Sequence, residues 1–343
     1  MTLSERRQRI LTFIIDDFVD SAQPVGSQAL VERHALGLSS ATVRNEMAAL
    51  EEDGLITHPH TSAGRIPSHP GYRYYVSSLM PERNLTQGEK LTILHQFHQS
   101  ARQLEEWIEL AASVLASTSG NTGVITQPRI ADVRLRQLQL VELTETRALL
   151  ILVTNDGSVH QQTIELPVAG PQEQLTRIAH RLNTLFGGKS AAEIAADDSP
   201  EPLGANESLI IATTTALLLR EQQAAVDAPV VEGVREMLRQ PEFGQSDRLL
   251  DTLEAVDERR LRTNIPTSAV APGNVAVVIG DENSEGPYQD MSFVLARYGA
   301  PGGPGGLLGV LGPTRMAYGD AVAHVRYVSD VLTELMRRFY GED

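Results

Sequence analysis

The sequence predicts a multidomain α+β protein that opens with a winged helix-turn-helix unit. Three observations carry this. The chain has 343 residues and is 41% hydrophobic, enough for two or three cores at about 150 residues per domain. Residues 1–83 read as three short helices followed by a small hairpin. From residue 120 onward, strands give way to helices and then to strands again, the order of an α+β domain interrupted by a helical insertion.

The elements follow from local patterns. Thr2 and Glu5 have capping-box spacing, and Ile10, Leu11, Ile14, Phe18 and Val19 keep to one helical face. The run Gln23 to Ser27 breaks that helix and caps a second, which ends near Gly37. Ser39 and Ser40 cap a third, closed by Gly54. Leu55 to Thr57 and Arg65 to Pro67 are short strands around a turn from His58 to Gly64. Gly71 to Met80 is an aromatic helix stopped by Pro81. A long helix is then expected from Gln87 to Ser117, with Leu94, Phe97, Ala101, Leu104, Ile108, Ala111 and Leu115 forming a heptad seam. That seam serves either its own domain or a second subunit. Leu138 to Leu143, Ala148 to Val153 and Val159 to Leu166 read as strands, the last two joined by the turn Asn155-Asp156-Gly157. Pro171 to Phe186 is an amphipathic helix, and residues 190–265 are helix-rich. Strands return at Val275–Ile279, Ser292–Leu295 and Leu307–Leu311, before a last helix from Tyr318 to Tyr340.

Composition excludes several functions. There is no cysteine, hence no disulfide, thiolate zinc site, iron–sulfur cluster or cysteine nucleophile. No run of about 18 apolar residues is present, and the N-terminus lacks the charged and apolar regions of a signal peptide, so the expected location is cytoplasmic. The net charge is −15, which repels nucleic acid unless a local patch meets it. Only Lys90 and Lys189 are lysines; every other basic residue is arginine. Residues 1–83 themselves hold two more acids than arginines, so binding must rest on a few placed contacts.

The informative stretch runs from Leu38 to Tyr75. On a helical wheel Val43, Met47 and Leu50 form a core face. Opposite lie Ala41, Asn45, Ala48, Ala49 and Glu52, with Thr42 and Arg44 on the flanks. Small residues let a helix lie deep in a groove about 12 Å wide, where asparagine pairs with adenine and arginine with guanine. The bland alternative is a solvated surface helix. In the hairpin, His58, His60, Thr61, Ser62 and Arg65 surround Gly64, which permits a tight turn, and offer short donors with one arginine, suited to phosphate or a minor groove. With Ser39, Ser40 and Arg73 these complete the candidate DNA-binding set. A metal site on His58, His60 and His69 is the alternative, although no nearby carboxylate completes it. No catalytic or cofactor site is expected. The loop Gly299 to Gly306 lacks a GK[ST] ending, no GxSxG or HExxH occurs, and Asp281, Glu282 and Glu285 read as a solvated acidic loop.

The motifs SSATVRNEMAALEEDGLI, PHTSAGRIPS and GYRYY, followed downstream by IGDEN at Ile279 to Asn283 and LGPTRMAY at Leu311 to Tyr318, closely resemble the heat-inducible transcription repressor HrcA family over the whole chain. The resemblance implies a winged-helix DNA-binding domain at 1–83 and a linker helix at 84–119. A GAF-like α+β domain would comprise 120–187 and 270–343, with an inserted helical dimerisation domain at 188–269. It also implies repression of chaperone operons by a homodimer on an inverted-repeat operator in double-stranded DNA, with a GroE-type chaperonin as modulator and no cofactor or membrane. The chain departs from the family at Ser68-His69-Pro70, where Thr-Asp-Lys is usual, and at Ala317, where aspartate is usual. Two other functions stay open: a ligand-responsive regulator with a polar pocket in the α+β domain, and an enzyme tethered to DNA. For the enzyme, only Glu282, Arg297 and Arg315 are available as titratable pocket residues.

Overall fold

The computed structural model describes residues 3–59, 64–99, 103–130, 133–155, 157–196, 204–223, 229–243, 246–283, 286–299 and 303–340. The fold mixes helices and strands and divides into two compact units. The first comprises Met1–Gln127, Ala228–Gly299 and Gly306–Asp343; the second comprises Pro128–Asp227 and Ala300–Gly305.

The first unit begins with helices α1 (Glu5–Ser21), α2 (Ser27–His34) and α3 (Ser40–Glu52) and strands β1 (Ile56–Thr57) and β2 (Ile66–Pro67). Ser4, not Thr2, caps α1, its Oγ accepting from the Arg7 N–H at 3.4 Å; Thr2 lies outside the described residues. Ile10, Leu11, Ile14, Leu30, Val43, Met47 and Leu50 close a common core. Asp17 joins α1 to α2, taking Arg33 at 3.2 Å and His34 at 2.9 Å, while Phe13 stacks on His34. Gly54, at φ +74°, follows α3 as expected. β1 and β2 pair antiparallel, Ile56 opposite Pro67. Gly64 is required by crowding rather than by a turn: a Cβ there would lie 2.6 Å from the Val25 backbone, because Val25 and Arg65 bridge by two backbone hydrogen bonds.

The helix His69–Tyr74 continues into a π-turn at Tyr75–Leu79. The single long helix expected next is two, Gln87–Gln99 and Leu104–Ser119. Gln103 is extended, with φ −111° and ψ 138°, and starts the second one; Ala101 lies outside the described residues. The seam serves its own unit. Ile108, Ala111 and Leu115 are fully buried, packed on strand Thr122–Ile125 and on the last helix, Tyr318–Tyr340. The sheet of this unit runs in the order Val230–Glu232, Thr122–Ile125, Pro304–Pro313, Met291–Gly299, Val275–Ile279. The last helix covers it with Val325, Val328 and Leu332.

The second unit has its own three-stranded antiparallel sheet, Leu135–Thr144, Arg147–Thr154 and Val159–Glu165. Helices Gln172–Phe186, Ala191–Ala195 and Ala205–Gln223 accompany it. Leu138, Leu140, Leu150 and Leu152 from the strands share a core with Leu175, Leu182, Ile210 and Leu218 from the helices. The compact units therefore do not follow the expected boundaries at 120, 188 and 270. The strands at 135–165 build a sheet apart from that of 275–313, and the helix-rich segment is split. Ile210 and Leu218 belong to the second core, whereas Val230–Glu232 pairs with Thr122–Ile125 in the first.

Close approach of backbones makes a stability test. A Cβ on Gly123 would lie 2.1 Å from the Ala112 carbonyl oxygen, so Gly123→Ala is expected to cost about 1–3 kcal/mol. Gly88 has nothing within 4 Å of the same position, and Gly88→Ala should be neutral or stabilise by about 0.4–1 kcal/mol. Thermal melts of both variants, followed by circular dichroism, check the contrast.

Candidate nucleic-acid interface

Ser39 sets the start of α3. Its Oγ accepts the Thr42 N–H at 3.1 Å and lies 2.9 Å from the Thr42 hydroxyl. Val43, Met47 and Leu50 are wholly buried, as the wheel requires. On the outer side Ser39, Ala41, Arg44, Asn45 and Glu52 are exposed, and Ser40, Thr42, Ala48 and Ala49 are partly so. Among the described residues, the side chains of Arg44 and Asn45 make no hydrogen bond or ion pair within the chain. Of the other charges of α3, Glu46 and Glu51 are engaged sideways, while Glu52 is exposed on the outer side with no ion pair among the described residues. Glu46 takes Arg7 at 3.0 Å and Arg6 at 3.3 Å. Glu51 takes Arg65 at 3.0 Å and His58 at 3.2 Å. Asp53, just past the helix, takes Arg7 at 3.5 Å.

The hairpin differs from its expectation. Arg65 is only 16% exposed and sets both Nε and Nη2 on one Glu51 oxygen. It holds β2 to the C-terminal end of α3 instead of presenting a donor outward. His58 is exposed and faces Glu51. His60, Thr61 and Ser62 lie outside the described residues.

Arg73 turns away from α3 altogether. Its Nε donates to Glu282 Oε1 at 2.5 Å and its Nη2 to the Val277 carbonyl at 2.6 Å, with a second contact to Glu282. The helix His69–Tyr74 packs on strand Val275–Ile279, which places Arg73 against that strand rather than on a DNA-facing surface. The departure at Ser68-His69-Pro70 starts this helix. Ser68 Oγ accepts the Gly71 N–H at 3.1 Å, and His69 Nδ1 lies 3.3 Å from Asp281. His58 lies beside Glu51 and His69 beside the Asp281 loop, and no metal-ligating group of three forms among the described residues, which do not include His60. Asp281 and Glu282 are engaged, not merely solvated; Glu285 lies outside the described residues.

The three candidate pocket residues are not brought together either. Glu282 meets Arg73. Arg297 donates to the Val270 carbonyl at 2.8 Å and the Thr267 carbonyl at 3.3 Å. Arg315 is 12% exposed and contacts Glu242 and the carbonyl of Val19 at the end of α1. Sequence reasoning missed Glu242, Val19 and Asp17. The one available signal was Arg315 within LGPTRMAY, without its partners.

The comparisons agree over the whole chain. The family described as HrcA protein C terminal domain matches residues 105–322. A heat-inducible transcription repressor HrcA of Herpetosiphon aurantiacus is 42% identical, covering 100% of this chain and 98% of that protein. One from Roseiflexus castenholzii is 41% identical, covering 99% and 96%.

The chain belongs to the HrcA family of heat-inducible transcription repressors.

That family is one of transcription regulators and not of enzymes. A crystal structure described as that of a hypothetical protein shares the fold, with a TM-score of 0.56 and 22% identity over 98% of both chains. Among the described residues, no helix is long and apolar enough to cross a membrane.

Glu282 offers a pH test. Burial raises its pKa, but Arg73 and the Ile279 N–H outweigh burial and hold the carboxyl below its ordinary value of 4.5. A carboxyl depressed in the fold contributes fully above its unfolded pKa and loses that contribution as pH falls through the folded one. The melting temperature of Glu282→Gln should therefore lie below that of the unsubstituted chain at pH 7, and the two should converge as pH drops below about 4.5. A gap independent of pH would show that the pair is not the source.

Proposed function

We propose that residues 1–83 are a winged-helix DNA-binding module and that α3 enters the major groove of an inverted-repeat operator. The observation that carries this is the outer face of α3. Arg44 and Asn45 are exposed without partners within the described chain, and the small side chains Ala41, Ala48 and Ala49 share their face, with Glu52 only at its C-terminal end, so the N-terminal half of the helix meets no bulky obstacle in the groove. Arginine and asparagine are the side chains with bidentate matches to guanine and adenine. Ser39, Ser40 and Thr42 sit at the helix N-terminus, where N–H groups and the helix dipole favour a phosphate. His58 and Gly64, with His60, Thr61 and Ser62 from the sequence between them, are on this reading contacts to the adjoining backbone or minor groove.

The active species on this reading is a homodimer in the cytoplasm that represses chaperone operons, with a GroE-type chaperonin modulating it, as the family resemblance implies. The body is GAF-like on the same grounds. A net charge of −15 argues for two linked modules, since one gains nothing from long-range steering. The seam of Leu104–Ser119 is buried within its own unit, so dimer contacts come from elsewhere. Val141, Leu143, Val159, Val168 and Leu219 of the second unit are large, apolar and more than 40% exposed. Such side chains on one compact unit supply the surface for a second copy.

A gel-shift assay with inverted-repeat against scrambled DNA tests the reading, and equal binding to both ends it. Asn45→Ala should cost about 1–3 kcal/mol on the operator and far less on random DNA. Arg44→Ala should reduce the slope of log K against log salt by about 0.9 for each phosphate that Arg44 neutralises, or leave the slope unchanged and alter base preference where it reads a base. Arg65→Ala should leave the slope unchanged, because that side chain is held by Glu51.

A further inference from the structure

We infer that Glu282 and Arg315 are positioning residues for operator binding, forming a clamp that fixes the α3-bearing module on the sheet of its own unit. This rests on the DNA-binding reading above and adds what controls it.

Stretches as much as 296 residues apart in sequence meet at one place. From the module come Val19 at the end of α1 and the side chains of His69, Tyr72 and Arg73. From the body come Gly280 to Asn283, Glu242 and Arg315 to Tyr318. Glu282 is itself immobilised: besides Arg73 it accepts the Ile279 N–H at 2.8 Å. The loop that carries it is locked by Asn283, whose buried amide donates to the carbonyls of Gly280, Tyr288 and Met291 at 2.9–3.0 Å. His69 Nδ1 accepts the Asp281 N–H at 3.2 Å. Arg315 takes a carbonyl from the last turn of α1, where the helix lacks its own donors, and its other arm is held by Glu242. Between these polar ends the rings of Tyr72 and Tyr318 lie 5.7 Å apart. The Tyr318 hydroxyl lies 2.8 Å from Ser292 Oγ and 2.7 Å from the Thr314 carbonyl. Among the described residues the buried Tyr72 hydroxyl has no hydrogen-bond partner, a desolvation cost that the closed contact must carry.

No hydrogen bond or ion pair of α3 among the described residues goes to the body, and the module's helices pack on one another without the clamp. Helices α1, α2 and α3 bury Ile10, Leu30, Val43, Met47 and Leu50 among themselves, so losing the charged contacts loosens the module's orientation without removing its own helical core. Two half-sites at fixed spacing demand two modules at fixed orientation. A loosely oriented module keeps its intrinsic contacts but loses effective concentration at the second half-site.

The chain has no cysteine, so Glu32→Cys and Asp330→Cys place one spin label on the module and one on the body, with label-free chain in excess to isolate distances within one copy. Preference of the unsubstituted chain for inverted-repeat over scrambled DNA tests the function itself and is read first. Glu282→Gln and Arg315→Gln should then broaden the label distance and weaken full-operator binding about tenfold or more, with binding to a single half-site or random DNA changed less than about twofold. Far-ultraviolet circular dichroism confirms a folded chain, and the milder Glu282→Gln covers the case where Arg315→Gln does not fold. An unchanged distance in both folded variants, or an equal loss on all DNAs, overturns the clamp. So does a broadened distance with operator affinity intact.

Discussion

On the proposed reading α3 approaches a polyanion, and a helix that does so must first dispose of its own carboxylates. α3 and its C-cap carry Glu46, Glu51, Glu52 and Asp53 in a chain of net charge −15, and everything about the module's surface follows from how these are handled. Arg6 and Arg7 of α1 draw Glu46 and Asp53 to one side. Arg65 and His58 of the hairpin draw Glu51 to the other. Each pair is partly exposed and adds little stability alone. Together they cancel charge along the flanks and leave Arg44, with Glu52 at the far end, as the charges of the outer face. The same pairs fix the hairpin and α1 against α3, so neutralisation and packing are one arrangement. The hairpin's arginine is therefore engaged within the chain.

The module's core is continuous with that of the body. One cluster runs from Leu3 through Met47 and Tyr72 to Tyr318 and Met336. Tyr72 is 2% exposed and Tyr318 1%, and burial pushes the Tyr72 phenol well above its ordinary pKa, so it stays neutral. An apolar interface alone has weak orientational preference, because hydrophobic burial is non-directional. The charge-assisted bonds of Arg73 and Arg315 at its edges supply direction.

Much of this was legible because it is local. The wheel of α3, its serine cap, the closing Gly54 and the last helix, Tyr318–Tyr340, depend on periodicity and capping within a few residues, and they stand where expected. What failed was non-local. The heptad positions from Leu94 to Leu115 are consistent with one helix, and nothing in their spacing announces an extended Gln103 or says which surface they meet. The strand Val230–Glu232 is too short and too flanked by helix to be read, since its pairing with Thr122–Ile125 spans more than a hundred residues. Arg65 and Arg73 have the right chemistry for phosphate. Which acid takes them, Glu51 fourteen residues away or Glu282 two hundred and nine away, is decided by the fold alone. Gly64 was recognised as necessary for a different reason from the close approach it serves.

On the proposed reading, the small number of DNA-facing groups per module sets a limit that the clamp addresses. One module offers Arg44, Asn45 and several hydroxyls, and a good bidentate base contact discriminates by about 1–3 kcal/mol. Operator affinities of ~10⁻⁸–10⁻¹¹ M correspond to about 11–15 kcal/mol. Two such base contacts fall well short of that. Phosphate contacts add to both specific and random binding, and the chain's overall charge opposes them. The remaining route is to make the second half-site's contacts intramolecular, worth ~10²–10⁴ in affinity when the geometry is held and nothing when the span is wrong. Rigidity between reading helix and body is then the quantity that separates operator from random DNA. It resides in residues that never touch a base: Glu242, Glu282, Asn283 and Arg315.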